Sequence, residues 1–425
     1  MFLTSIFSVA FLSLSLLSPL ASSRAIEEIA KRQDGSHWIN TWTSMPQLVE
    51  RDNLPPAPFS SGSVLRDATL RQTFQISVGA PKIKITISNT FGGSDLPITA
   101  GSVGVPTGGA AGVSGIQASP LAAITVGGKS SFTILKGQVV TSDEIAFQVK
   151  PQSVITVSLY SQQGQSGNSI TGHPGSRTTS WLVSGNKVNA TSFSGTASVH
   201  WYFISAVQAL VPTATNSLIT LGDSITDGRG SENDKNNRWP DLLCSRMQRK
   251  NYTNIAINNE AAGGNAVLQG GLGPPLLTRY MRDALLQPGA KYIMIFEGVN
   301  DIGPAANSVS AQKLIGDRLI AAFTQIATDA KKAGFKTIGA TITPFGNNAG
   351  YAGAEKEKTR LRVNEWVLAK GNGSYDFVVD FAGMVAKKGQ VSVLDRKFDS
   401  GDGLHPNVAG YQAMADGFPL DNFKA

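Results

Sequence analysis

The chain has 425 residues, 41% of them hydrophobic and 16% charged, a balance that supports packed cores and excludes a disordered chain. The length predicts two domains rather than one. The net charge of +7 comes from spread cations, with short pairs only at Lys331-Lys332 and Lys387-Lys388, so the basic stripe that nucleic-acid binding needs is missing.

The chain opens with an apolar run from Phe2 to Leu20 that then turns small. This pattern predicts a secretory signal peptide over 1–23, cut near Ala21 to Ser23, and hence an extracellular location. Ser13, Ser15, Ser18 and Pro19 interrupt the run and argue against a membrane anchor. No later segment is long and apolar enough to span, so no stable membrane association is expected. Residues 24–32 are a candidate propeptide that ends at the dibasic pair Lys31-Arg32. In a secreted chain, the sequons at Asn189, Asn251 and Asn372 are surface positions.

Residues 33–212 alternate with a period of two. In "KIKITIS", Ile83, Ile85 and Ile87 share one face, and Lys82, Lys84 and Thr86 share the other. "LRQTFQISV", "SVITVSLY" and "SVHWYFISAV" read as further strands, separated by Gly-rich turn segments. This predicts an all-β sandwich domain. "ALVPTATN" is the expected hinge.

From 213 to 425 strands alternate with helices. "SLITL", "TNIAIN", "KYIMIFEG", "KTIGATI" and "YDFVVD" are predicted strands. "RWPDLLCSRMQRK", "PPLLTRYMRDALLQ", the amphipathic stretch before Gly334, "EKEKTRLRVNEWVLAK" and "HPNVAGYQAMADG" are predicted helices. The pattern implies a parallel sheet covered on both faces. The single cysteine, Cys244, permits no internal disulfide and is expected as a small buried residue on a helix.

In "SLITLGDSITDGRG" a buried strand runs straight into Gly-Asp-Ser, which sets Ser224 at a strand end, where chemistry sits in α/β folds. A serine hydroxyl needs a base, and the usual base is a histidine oriented by a carboxylate. Of the four histidines, only His405 belongs to the α/β half, and Asp402 stands three residues before it. Other strand ends carry Gly263, Gly264 and Asn265 in "NEAAGGN" and Asn300 in "GVNDIG". A glycine N–H and an asparagine amide are suitable donors to an oxyanion.

"GDSITDG", "NEAAGGN", "GVNDIG" and "DGLHPN" together resemble the four motif blocks of the SGNH hydrolases, also called GDSL esterases and lipases. The resemblance covers roughly Asn216 onward. It implies a three-layer α/β/α, flavodoxin-like fold and ester hydrolysis with neither metal nor cofactor. It also implies Ser224 as nucleophile, Asp402 and His405 as its partners, and an oxyanion hole of Ser224 N–H, Gly264 N–H and the Asn300 amide. The longer run through "RWPDLL", with "SNTFGG" and "TGHPG" upstream, is similar to a secreted subgroup placed with xylan-active acetyl esterases. One departure is Ala261, which stands where the second block usually has its first glycine.

Several residues have plainer expected roles. Asp223 and Asp301 are expected to be structural, Trp239 and Trp366 to be core residues, and His173 to lie on the surface. Trp38, Trp42, Trp181 and Trp201 are read as buried aromatics, with a sugar platform as the alternative. Tyr351 or Phe345 would either stack on a sugar ring or pack against their own loop. The loops expected around Ser224 are polar, which favours acetyl or short acyl esters on carbohydrate, possible partners being small esters or cell-wall polysaccharide. A lipase acting on longer chains and a non-catalytic carbohydrate-binding protein are the alternatives. Activity is expected to rise as His405 loses its proton, around neutral pH or slightly above.

Overall fold

A computed structural model describes residues 35–423. The expected signal peptide and the pair Lys31-Arg32 lie outside the described residues.

The period-two pattern of the first half folds as it reads. In the strand Ile83–Ser88 the three isoleucines are buried, while Lys84 is only half-buried. This strand belongs to a four-stranded antiparallel sheet, in the order Ser36–Thr43, Ile204–Pro212, Ile83–Ser88, Val139–Thr141. A six-stranded antiparallel sheet runs Thr196–Ser198, Ser180–Ser184, Ala68–Gln75, Val154–Ser161, Ala100–Pro106, Ile116–Ala123. One apolar cluster draws on both sheets: Ile83, Ile85 and Val207 from the first, and Leu70, Phe74, Ile155 and Leu159 from the second. Trp42 packs on Phe74 with ring centroids 4.1 Å apart and edge-on to Trp201 at 4.9 Å, so these two tryptophans are core residues.

"SVHWYFISAV" differs from expectation. It breaks into Thr196–Ser198, Trp201–Tyr202 and Ile204–Pro212. Phe203 has φ of 65°, a left-handed conformation that cannot continue a strand. The expected hinge is also shorter than read, because Ala209 to Pro212 complete a strand and leave only Thr213 to Thr215 as the connection.

In the second half five parallel strands form one sheet: β1 (Asn216–Gly222), β2 (Ile255–Ala261), β3 (Ala290–Phe296), β4 (Lys336–Ala340) and β5 (Phe377–Val379). Their order is β2-β1-β3-β4-β5. The helices are α1 (Ser224–Asp227), α2 (Trp239–Arg249), α3 (Leu276–Tyr280), α4 (Val299–Ile302), α5 (Val309–Lys332), α6 (Ala354–Leu368), α7 (Phe381–Val385) and α8 (Val408–Gly417). The helix expected from Pro274 onward stays α-helical only to Tyr280, then widens into a π turn over Met281–Leu285. The α2 helix packs with α8, and α5 with α6. The chain leaves β1 toward one edge and β3 toward the other, so right-handed crossovers put α2 and α5 on opposite faces. The reversal of strand order at β1 opens a crevice beyond the strand ends, which is where such sheets bind ligands.

One buried side chain ties those strand ends together. Arg279 of α3 donates to Gly222 O at 3.2 Å, to Glu260 O at 2.5 Å and to Glu297 Oε1 at 2.8 Å. These acceptors sit at the ends of β1, β2 and β3. Arg279 also bonds Asn265 Oδ1, at 2.8 and 3.0 Å, and Asp283 Oδ2, at 3.2 Å. Replacing it with an apolar residue strands buried Glu297 and Asp283. Arg279→Met is therefore expected to cost about 3–5 kcal/mol of stability. Urea unfolding followed by circular dichroism checks this, and an unchanged midpoint would contradict it.

Candidate active site

Strand β1 ends at Gly222, where a Cβ would lie 2.5 Å from Thr226 Oγ1, so no larger residue fits. Asp223 follows in extended conformation and caps α1, its carboxylate accepting the Ile225 N–H at 2.9 Å. Ser224 is thus the first residue of a helical turn, and its N–H is one of the amides without an intrahelical acceptor. The side chain is buried at the floor of a cleft.

His405 reaches the serine from the loop before α8. Its Nε2 lies 2.8 Å from Ser224 Oγ, and its Nδ1 lies 2.6 Å from Asp402 Oδ2. A carboxylate only accepts, so Nδ1 carries the proton and Nε2 is free to take one from serine. The other Asp402 oxygen accepts the N–H of Leu404 at 3.0 Å and of His405 at 2.9 Å. The D-x-x-H turn therefore fixes the carboxylate from both its oxygens.

Burial lowers the His405 pKa below its ordinary 6.5, outweighing Asp402, which raises it. The neutral imidazole is the dominant form at pH 7. This shifts the expected onset of activity from neutral pH to below 6.5, because desolvation of the ring is the larger effect. Burial would raise the Asp402 carboxyl, but hydrogen bonds from His405 hold it below the usual carboxylate range.

Gly264 lies just beyond β2 with φ of 70°, a conformation that favours glycine. Its carbonyl accepts the Leu272 N–H at 2.9 Å. Asn300 sits in α4, just after β3. Its Nδ2 donates to Asn265 O at 2.8 Å, and its Oδ1 accepts from Tyr351 Oη at 2.7 Å. With one amide hydrogen committed to Asn265, the second remains for a substrate oxygen. Ser224, Gly264, Asn300 and His405 all line one cleft of about 510 Å³, with Asp402 behind His405. Ala261 ends β2 as an ordinary extended residue, so the missing glycine has no backbone consequence there.

The structural expectations hold for the two other acids. Asp223 is the helix cap, and burial lifts its carboxyl to about 7. Asp301 accepts the Val267 and Leu268 N–H groups at 2.9 Å, and burial lifts it to about 6. Cys244 is buried, and burial pushes its thiol up to about 12. Trp239 is fully buried and Trp366 half-buried. Phe345 is a core residue, whereas Tyr351 lines the cleft.

His173 departs from expectation. It is buried, with Nε2 2.8 Å from Asp227 Oδ1 and Nδ1 3.0 Å from Met45 O. Gly172 and Gly175 suggested an exposed loop, but both are packed: a Cβ on Gly172 would meet Val49 and Trp201 O within the β half, and one on Gly175 would overlap the Asp227 carboxylate of the α/β half.

The sequence reading missed the other wall of the cleft. Gln47, Glu50, Asn53, Arg177 and His200 of the β half face Ser224 across it. No motif marks them, since they come from three separate segments, around 47–53, 177 and 200. Among the described residues, no group of three His, Cys, Asp or Glu side chains could hold a metal ion.

Residues 220–413 match the model of the GDSL-like lipase/acylhydrolase family. No curated protein matches the chain. Solved structures that match this chain include the acetylxylan esterase Axe2 of Geobacillus stearothermophilus, at 20% identity and a TM-score of 0.36, covering 49% of this chain and 94% of that one. The acetyl xylan esterase AlAXEase has 19% identity and a TM-score of 0.36, covering 47% and 96%. A GDSL-like lipase of Bacteroides thetaiotaomicron has 17% identity and a TM-score of 0.36, covering 48% and 85%.

The Tyr351 hydroxyl holds the Asn300 amide so that its N–H side faces the cleft. Tyr351→Phe frees the amide to rotate, and kcat is expected to fall roughly tenfold, on the scale of one lost hydrogen bond, with KM little changed. Steady-state kinetics on p-nitrophenyl acetate would read this, and a rise in KM alone would assign Tyr351 to substrate binding instead.

Proposed function

We propose that this chain, a carboxylic ester hydrolase by virtue of its GDSL-like lipase/acylhydrolase domain over residues 220–413, is a secreted serine esterase that removes acetyl or other short acyl groups from carbohydrate. The observation that carries this reading is the hydrogen-bonded chain Ser224–His405–Asp402 at the floor of a polar cleft.

In this mechanism Ser224 Oγ attacks the ester carbonyl carbon as His405 Nε2 takes its proton. Asp402 stabilises the imidazolium through Nδ1. The carbonyl oxygen, now negative, accepts hydrogen bonds from Ser224 N–H, Gly264 N–H and the Asn300 amide. Collapse breaks the bond to the alcohol, which leaves with the proton from His405. A water then gives its proton to His405 and attacks the acyl-serine, and the acid is released as Ser224 regains its hydrogen.

The lining of the cleft supports short acyl groups and a sugar. Its apolar side chains are few, with Leu272, Leu404, Val199 and Pro174 the aliphatic ones and Tyr351 the one six-membered aromatic ring. A long acyl chain needs an extended apolar groove, whereas sparse apolar groups among amides and charges suit a hydroxylated ligand. We further read the two antiparallel sheets of the β half as a sandwich domain that forms one wall of this cleft. The three sequon asparagines are exposed, in keeping with a secreted glycoprotein.

Ser224→Ala should abolish ester hydrolysis without loss of folding, and a serine-directed organophosphate should label the wild type at that residue. Adduct formation on a different serine would refute the assignment. Asn300→Ala should lower kcat by roughly 10²–10³. The acid limb of kcat/KM should fall below pH 6.5, because burial depresses His405 and its neutral form is the base. A pH–rate profile with a limb well above that value would contradict the burial argument. A series of p-nitrophenyl esters from acetate to palmitate, run beside acetylated xylan, tests the substrate. Faster turnover of palmitate with no acetate released from xylan would favour a lipase.

A further inference from the structure

Two guanidinium groups in the cleft are left out of its ion pairing. Arg177, from the β half, and Arg229, two residues beyond α1, both line it beside His405. Among the described residues, neither takes part in an ion pair. Nε of Arg177 is buried without a hydrogen-bond partner. A buried donor left unmade is costly, and a site built around one points to a ligand that completes it.

The placement of Arg177 is enforced. Its φ of 49° lies in the left-handed region, which a non-glycine residue adopts only when its surroundings impose it. The surroundings here are Asp234, whose N–H donates to Arg177 O at 2.9 Å. The Asp234 carboxylate in turn accepts from Thr179 N at 2.7 Å and Thr179 Oγ1 at 2.8 Å. Arg229 is held by its backbone as well, its N–H donating to Ser224 O at 2.9 Å and its carbonyl accepting from Tyr411 Oη at 2.5 Å.

The acids that share the cleft are already engaged. Glu50 accepts from Gln47 Nε2 at 2.6 Å and Asn53 Nδ2 at 3.0 Å. Asp227 is paired with His173. Neither acid pairs with Arg177 or Arg229, so both guanidinium groups keep their donors for a ligand.

Its side of the cleft matters as well. His405 delivers the proton to the departing alcohol, so the space beside His405 belongs to the alcohol part of the ester. Arg229 stands on that side, since a Cβ on its neighbour Gly230 would lie 2.2 Å from Pro406 O, next to His405, and Arg177 lines the same cleft. The Gly264–Asn300 side is left for the acyl group.

We propose that Arg177 and Arg229 form a subsite for a carboxylate carried by the alcohol part of the ester, so that the favoured substrate is an O-acetylated sugar chain containing uronate residues. This rests on the esterase reading above and narrows its substrate class. A uronate carboxylate is planar and ionised at neutral pH, and matches the fork geometry of a guanidinium.

The test compares acetate release by the full chain from O-acetylated oligogalacturonate with release from the same oligomer after methyl esterification of its carboxyls. The free acid should be the better substrate by about tenfold in kcat/KM, the scale of a charge-assisted hydrogen bond. Added salt should erode that preference. In Arg177→Gln and in Arg229→Gln the ratio of the two rates should fall toward one. The ratio cancels any general loss of activity, and Arg229, being exposed, can be replaced without risk to folding. Equal rates on both oligomers in the wild type, or release from neither while p-nitrophenyl acetate is turned over, would overturn the subsite and leave the esterase standing. Failure on p-nitrophenyl acetate as well would instead remove the esterase reading.

Discussion

The site depends on three strand ends being held in register, and one guanidinium does most of the holding. Ser224, Gly264 and Asn300 come from three different β-to-helix connections. Nothing in the connections themselves fixes their relative positions to the tenths of an ångström that oxyanion stabilisation needs. Arg279 supplies the constraint by donating to carbonyls at the ends of β1 and β2 and to the carboxylate after β3. Its planar fork suits this role, whereas a lysine would reach only one or two of these acceptors at a time. It also bonds Asn265, whose carbonyl accepts from the Asn300 amide. A single buried cation is thus linked through Asn265 to one of the three groups proposed to bind the oxyanion, and holds the strand ends that carry the other two.

Holding that cation costs desolvation, and the acids around it register the cost. Burial lifts the Glu297 carboxyl to about 8 even though Arg279 lies against it. Burial likewise raises Glu260 well above its ordinary value. The interior beneath the cleft is therefore a place where charge is expensive. His405 shares that environment and responds in the direction a base requires, remaining neutral. Asp402 is treated differently: its carboxylate is partly exposed and bound by two backbone N–H groups, so it stays ionised. Two titratable neighbours are pushed apart by their surroundings, and acid–base roles follow from that separation.

The sequence made the α/β half legible because its chemistry sits at strand ends, and strand ends are marked by periodicity that stops at small or polar residues. Ser224, Gly264, Asn300 and the Asp402–His405 turn could each be located that way. The Tyr351–Asn300 hydrogen bond could not, since it joins residues 51 apart through a loop without regular pattern. The β half was legible as strands and misread in its details. Phe203 breaks a strand by a left-handed turn that no turn residue announces. His173 looked like a loop histidine because its glycine neighbours signal a turn, yet Gly175 is there for close packing against Asp227 and Gly172 for close packing against Val49 and Trp201. The facing wall of the cleft was invisible for the same reason: its residues meet only when the two halves dock.

That docking makes the cleft the joint property of both halves. The loop that follows Ser224 is gripped at two points by the β half, through the buried His173–Asp227 pair and through the Thr179 contacts of Asp234. His173 in turn stacks on Trp201, which packs edge-on to Trp42. A line of contact therefore runs from the aromatic core of the β half to the segment that carries Ser224. Farther along the interface, Asn258 Nδ2 donates to Asn40 O at 2.9 Å, and Ser77 Oγ to Ile257 O at 3.3 Å, fastening the edge strand β2 to the β half. An α/β half alone would keep the Ser224–His405–Asp402 chain, which lies wholly within it. It would lose the wall bearing Arg177, His200 and Glu50, and with it the surface against which an alcohol of any size must lie. The proposed catalytic groups thus lie in one half of the chain and the wall they face in the other, and the contacts of the segment after Ser224 join them.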